Sequence, residues 1–238
     1  MRITIIGSSH GVPEPKRKCA CTMIQVGGNT YFIDMGCQAI EELINRGIPV
    51  ESVKAVFVTH MHGDHTNGLI SFFDLCNWYF RAADPLILLP EEKGLDAMFG
   101  WIEANGTDLR GIRTGVINEG ITYYDGTIKV TAVRTKHSAV SFSYIVEAEE
   151  KRVLFTGDLR GPDVDFPELA KEKHMDLMIC ESAHFSPLKY IPVFEEAKAG
   201  KVIINHYSMT WMTDLLKLKA EMHPYNIWLA TDDLEIEL

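Results

Sequence analysis

Residues 56–68, Val-Phe-Val-Thr-His-Met-His-Gly-Asp-His-Thr-Asn-Gly, constrain this chain more than any other stretch. The apolar, β-branched start reads as a buried strand. It runs into a loop that holds His60, His62, Asp64 and His65 within six residues. On an extended backbone His60 and His62 project to the same side, so two imidazoles can grip one ion. Asp64 and His65 are offset toward a second position, where a helix is expected to start. Gly63 is expected to supply the sharp turn that faces both pairs into one cavity. A lone histidine beside a strand is ordinarily a satisfied core or surface residue. Four such groups directly after an apolar strand would be costly to bury without a compensating partner. Imidazole and carboxylate together are a donor set for a divalent metal.

Further donors stand at the ends of other strands. His137 follows the run 128–133, Asp158 follows 152–156 through Gly157, and His206 follows 201–205. Strand ends are where open sheets present ligands. The remaining β-branched runs are 3–6, 22–26, 30–34, 55–59, 86–89, 143–147, 176–180 and 226–230. Gly27-Gly28-Asn29 is a hairpin signal, and Glu149-Glu150-Lys151 is expected to close a second hairpin. Helical periodicity covers 37–46, 65–81, 91–105, 191–199 and 210–221. Early strands pair as hairpins while later ones alternate with helices. The expected class is α/β (α+β), two mixed sheets face to face with helices outside. No low-complexity linker divides the chain, so residues 1–238 read as one domain.

The pattern His60-x-His62-x-Asp64-His65 with His137, Asp158 and His206 resembles the metallo-β-lactamase-fold hydrolases. Ile33-Asp34-Met35-Gly36 is similar to the family's early Asp-x-Gly turn, and residues 227–233 to its closing strand and loop. The resemblance implies a four-layer αββα sandwich with two divalent metal ions at one edge. It places His60, His62 and His137 on the first metal and Asp64, His65 and His206 on the second, with Asp158 bridging. Zinc is the first reading; manganese or iron suits the same donors. Within the family, Gly7-Ser8-Ser9-His10-Gly11-Val12-Pro13-Glu14-Pro15-Lys16-Arg17 is similar to the glycine-rich start and Pro-x-Pro-x-Arg segment of the tRNA 3′-processing endonuclease (ribonuclease Z) branch and its small phosphodiesterase relatives. Residues 137–144 are similar to that branch's His-x-x-x-Ser-x-x-Tyr stretch, and 176–185 to its late strand ending in an acidic residue. His184, 22 residues before His206, falls where the branch carries a proton-donating histidine.

The resemblance therefore implies hydrolysis by hydroxide generated between two metals, with Asp64 and His184 as catalytic residues and His184 as general acid. Lys16, Arg17, His10 and Ser141 are the expected substrate contacts. Leu159 follows Asp158 where the branch has Thr, and Phe185-Ser186 follows His184 where it has Ser-Thr. No long Gly/Pro-containing insertion lies between Asp158 and His206 to serve as a tRNA-gripping arm. The expected substrate is thus a small anionic one, a nucleotide-like or cyclic phosphodiester. A thioester, lactone or β-lactam, or the tRNA 3′ end, is the alternative.

Composition agrees. The 23 Lys+Arg against 33 Asp+Glu leave a net charge of −10, which argues against broad contact with large nucleic acid. Two divalent metals would still make the site locally cationic. Met1–Gly7 reads as a strand rather than a targeting segment, and no run is long enough to span a membrane. Five cysteines without a framework spacing point to reduced thiols in a cytoplasm. Cys19 and Cys21, with Cys37 and His223, are candidates for a separate zinc. A homodimer is compatible with the chain but not required by it.

Overall fold

The computed structural model describes residues 1–12, 14–107, 113–197, 199–223 and 225–238. Pro13 of the N-terminal segment and Lys198 of the expected 191–199 helix lie outside them. Fourteen strands are described: β1 (Arg2–Gly7), β2 (Cys21–Val26), β3 (Asn29–Met35), β4 (Val53–Phe57), β5 (Leu86–Leu89), β6 (Arg113–Val116), β7 (Gly120–Tyr124), β8 (Lys129–Arg134), β9 (Phe142–Ala148), β10 (Lys151–Phe155), β11 (Met175–Ser182), β12 (Ala199–Tyr207), β13 (Asn226–Leu229) and β14 (Leu234–Glu237). The helices are α1 (Ala39–Asn45), α2 (Gly63–Thr66), α3 (Leu69–Trp78), α4 (Glu92–Ala104), α5 (Pro162–Asp165), α6 (Leu169–Glu172), α7 (Ile191–Glu196) and α8 (Met212–Glu221).

The strands form two seven-stranded sheets, in the orders β14-β1-β2-β3-β4-β5-β6 and β13-β12-β11-β10-β9-β8-β7. In the first, β14, β1, β2 and β3 are antiparallel and β3 through β6 parallel. The second runs parallel from β13 to β10 and antiparallel from β10 to β7. Side-chain alternation explains the layering, because strands covered on both faces bury both sets of side chains. Ile3, Tyr31 and Phe57 point inward and meet Val130, Tyr144, Val153 and Ile203 of the other sheet. Ile6, Phe32 and Val56 point outward, onto Leu43, Phe72 and Ile102 of the helices. The second sheet's outer face packs on Phe194, Leu215 and Leu218. This is the expected αββα arrangement.

Turn chemistry sets the register. Gly27 and Gly28 take φ of 56° and 82° between β2 and β3, as a two-residue hairpin with the right twist requires. Glu149 and Glu150 make the β9–β10 turn at φ 50° and 61° without any glycine. Three expectations need correction. The helix expected over 65–81 is broken into α2 and α3. The break falls at Gly68, where a Cβ would sit 1.9 Å from the Cys37 carbonyl oxygen, so the chain passes there only because the residue is glycine. The helix expected over 191–199 ends at Glu196, because Ala199 already pairs with Met175 as the first residue of β12. Strands β6, β7 and β14 escaped the sequence pattern. They are short, and β6 and β14 lie at sheet edges, as does β7, so their alternation is blurred by exposure.

Candidate metal centre

The histidine loop leaves β4 pinned between the two sheets. The Val58 amide donates to Leu88 O in the first sheet, while the Phe142 amide of the second donates to Thr59 O. The Tyr144 hydroxyl reaches Val58 O at 2.6 Å. Asp34 completes the hold by accepting from the Thr59 amide at 2.7 Å and from its hydroxyl. Gly63 does not make the expected sharp turn; it opens α2 without a positive φ, after an extended His62. The glycine that the close approach requires is Gly36, where a Cβ would sit 1.8 Å from Asp64 O. Gly157, at φ 55° with no room for a Cβ beside Phe142 O and Thr59, delivers Asp158.

The seven expected donors converge, in two groups that share Asp158. His60, His62, His137 and Asp158 bring one donor atom each within 4.8 Å of one another, and so do Asp64, His65 and His206. His60 Nε2 and His137 Nε2 lie 2.9 and 3.2 Å from His62 Nδ1. Asp158 Oδ2 faces His60 at 3.6 Å and His137 at 3.5 Å. Its other oxygen, Oδ1, faces His65 and His206, each at 3.4 Å. Asp64 Oδ2 closes the second group at 3.3 Å from His65 and 3.6 Å from His206. The far nitrogens are oriented from behind. His60 Nδ1 meets Thr59 Oγ1 at 3.0 Å, His65 Nδ1 meets Asp34 Oδ2 at 2.7 Å, and His206 Nδ1 donates to Ser9 O at 2.8 Å. Such outer partners fix ring orientation and direct the other nitrogen inward.

The electrostatics divide the groups. Burial, with His65 close by, pushes His60 down to about 2, and burial likewise lowers His137. Burial also works against charge on His65, but Asp158 and Asp34 hold it well above its ordinary value. His206 is raised in the same way by Asp158. Burial would raise Asp158, yet His206 and His65 hold its carboxyl well below the usual range. The residues fit divalent metals. Asp158 Oδ1 and His65 Nε2 are buried without a hydrogen-bond partner, and a cation between them would satisfy both.

His184 stands beside the shared carboxylate, Nδ1 3.7 Å from Asp158 Oδ2, with its side chain 40% exposed. Its hydrogen bond to Glu181, at 3.1 Å, is the main cause that lifts it to about 8. Glu181 is buried and also accepts from the amides of Leu159 and Ala183, so one carboxylate ties the Asp158 loop to the His184 loop. Glu181 and Asp34 are the residues that reading for ligands passed over as site members. Their signals were an acid at the end of a buried strand, three residues before a histidine, and an acid in the Asp-x-Gly turn.

The expected substrate contacts fare differently. His10 lies near the second group and is half-buried; burial lowers its pKa, and its Nδ1 has no hydrogen-bond partner. Lys16 is exposed at the tip of a turn. Arg17 is turned inward, and its donors go to Ser8, Glu14 and the Tyr207 carbonyl, with the guanidinium over the Tyr207 ring. It holds the N-terminal loop and has no free fork for phosphate. Ser141 is 1% exposed, with its hydroxyl bonded to Thr135, so it shapes the His137 loop rather than meeting substrate. Among the described residues no group of three donors includes Cys19, Cys21 or Cys37, and His223 is exposed after α8, so the separate zinc has no ligand set.

A family profile described as "Anti-Pycsar protein Apyc1" matches residues 1–222. The ribonuclease Z of Brevibacillus brevis is 30% identical over 160 residues, 65% of this chain and 50% of that protein. The chain spans about half the length of the curated relatives it matches. The metallo-β-lactamase-fold protein YhfI of Bacillus subtilis superposes with a TM-score of 0.81 at 18% identity, over 100% of this chain and 99% of that one. The short form of human tRNase Z superposes with a TM-score of 0.79 at 18% identity, over 100% and 99%. With almost its whole length matched by the profile and this fold beneath it, the chain belongs to the Anti-Pycsar protein Apyc1 family, on the metallo-β-lactamase fold.

Proposed function

We propose that this hydrolase cleaves a small phosphodiester, nucleotide-like or cyclic, with two divalent metals held by the two donor groups. The observation that carries the reading is the division of Asp158: Oδ2 faces His60 and His137 while Oδ1 faces His65 and His206. When bound, divalent cations there would supply a nucleophile near neutral pH by acidifying a shared water and would neutralise phosphate oxygens. Zinc leads, with manganese or iron on the same donors.

The chain's own residues do the rest. His60, His62 and His137 would hold the first cation, Asp64, His65 and His206 the second, and Asp158 both. His184, oriented by Glu181 and open to solvent, would give its proton to the leaving oxygen, a contribution on the order of 10²–10⁴. His10 and Lys16 would meet the substrate from the N-terminal loop. Small size follows from two facts. Between Asp158 and His206 the described residues go into α5, α6, β11, α7 and β12, with no projecting arm. Arg17 is spent internally and Lys18 pairs with Glu42, so of the basic run 16–18 only Lys16 is left to meet a phosphate.

The ribonuclease Z relatives favour a second reading, a tRNA 3′-end endonuclease. Both readings take residues 1–238 as one domain working in a cytoplasm, in keeping with five free cysteines. Among the described residues no helix is long and apolar enough to cross a membrane. The test is a substrate panel on metal-reconstituted protein: a bis-aryl phosphate, cyclic nucleotides, precursor tRNA, a thioester, a lactone and a β-lactam. Turnover of the aryl phosphate or a cyclic nucleotide is expected. Turnover confined to precursor tRNA selects the second reading, and turnover confined to the thioester, lactone or β-lactam overturns both.

A further inference from the structure

Resting on the dinuclear reading above, we propose that Asp165 is the positioning residue that sets His137, and with it the occupancy of the first metal position. Of the histidines in that group, His60 sits on a backbone locked by both sheets, but His137 comes from the loop between β8 and β9. That loop is held to the Asp158 loop at two points. Thr135 Oγ1 donates to Asp158 O at 3.3 Å. Asp165 Oδ2 accepts the Lys136 amide at 2.6 Å and the Arg160 amide at 3.1 Å, while Oδ1 accepts the Gly161 amide at 3.1 Å. One carboxylate thus joins the residue before His137 to the second and third residues after Asp158. Charge-assisted bonds to backbone amides are short and directional, so this clip sets the spacing of the two loops.

That spacing matters because His137 Nε2 joins the group across the gap between the two loops, 3.2 Å from His62 Nδ1 and 3.5 Å from Asp158 Oδ2. The second group has no comparable dependence, since His65 is locked by Asp34 and His206 by Ser9 O. Asp165 touches neither a donor atom nor the expected substrate. It acts only through backbone, and because Glu181 also holds the Asp158 loop at the Leu159 amide, its effect falls on the His137 loop and so on the first position.

The substitution Asp165→Asn keeps the shape but turns an NH₂ against at least one of the three amides whichever way the amide lies. Asp165→Ala removes the carboxylate without adding a donor. Each variant and the wild type is titrated with zinc against a chromophoric chelator, with His137→Ala as the pattern for loss of the first position. Asp163→Asn serves as a charge-matched neighbour, since among the described residues Asp163 meets only Lys189 Nζ, at 3.5 Å. The wild type is expected to hold two equivalents. In both Asp165 variants one of them is held about ten- to a hundredfold more weakly, as in His137→Ala, with the other unchanged. Wild-type retention of both equivalents, weakening of both together, or the same loss in Asp163→Asn would overturn the proposal. A wild type that binds no zinc overturns the dinuclear reading beneath it instead, and this inference falls with it.

Discussion

Two aspartates, Asp125 and Asp158, show how this fold separates structure from chemistry. Asp125 lies in the turn between β7 and β8. Its Oδ2 accepts from the hydroxyls of Tyr31 at 2.6 Å and Tyr123 at 3.0 Å, and its Oδ1 from the amides of Thr127 and Ile128 at 2.8 and 2.9 Å. Asp158 is buried deeper, yet the groups facing it are imidazole nitrogens at 3.4–3.7 Å, and its Oδ1 has no hydrogen-bond partner. Both carboxyls are held below the ordinary range. For Asp125 neutral donors outweigh burial; for Asp158 it is the charge on His206 and His65. A carboxylate saturated by hydroxyls and amides ties loops together and asks for nothing more. One left facing histidines keeps an oxygen without a hydrogen-bond donor, open to a cation. The difference is legible in the donors, not in the depth.

The comparison breaks first at Asp158. Asp158→Asn is expected to lower kcat/KM on the substrate identified by the panel by on the order of 10³ or more, as for members of a catalytic unit. The melting temperature of the metal-free protein should move by no more than about 5 °C, roughly 1–2 kcal/mol at this length. A collapse of metal-free stability would mean that Asp158 is structural like Asp125. Zinc sharpens the same contrast. At a free concentration about a thousandfold above Kd, ligand linkage adds about 4 kcal/mol to the folded state. That increment should appear in the wild type and in Asp125→Ala alike and shrink in Asp158→Asn. Asp125→Ala is the reverse case: it strands the fully buried Tyr31 hydroxyl and should cost about 1–3 kcal/mol in urea denaturation. Its kcat/KM should stay within a few-fold of wild type, and a loss beyond tenfold would tie this turn to the site.

The sequence made Asp158 visible and Asp125 ordinary, for the right physical reason. Three histidines and an aspartate within six residues, and single donors just past strand ends, cannot be explained by packing, and the structure brings all seven together. The αββα layering was legible because strands buried on both faces are continuously apolar, as in residues 55–58. What failed depended on where a side chain turns. Arg17 sits in a basic run, but nothing local tells that Ser8 and the distant Tyr207 carbonyl absorb its donors. Ser141 matched a motif position while its hydroxyl is consumed by Thr135, six residues away. Glu181 and Asp34 work through the backs of histidines, and such contacts exist only after the sheets have assembled.

The smallest expected effect is on pH dependence, and it isolates Asp125. A carboxyl held below its unfolded value of about 3.9 contributes stability that is fully present above that pH. The contribution is lost as pH falls through the lower folded value. Asp125→Asn keeps the size of the side chain but cannot ionise, and its NH₂ opposes one pair of donors. The wild type should therefore exceed Asp125→Asn in urea stability by a constant margin above about pH 5. The margin should narrow below about pH 4, where the wild-type carboxyl takes up its proton and can no longer accept from all four donors. Measuring both proteins metal-free at pH 6 and pH 3 cancels the titration of the histidine groups, which the two share. If the margin is the same at both pH values, the charge on Asp125 contributes nothing beyond its shape. The contrast with Asp158 would then rest on burial alone.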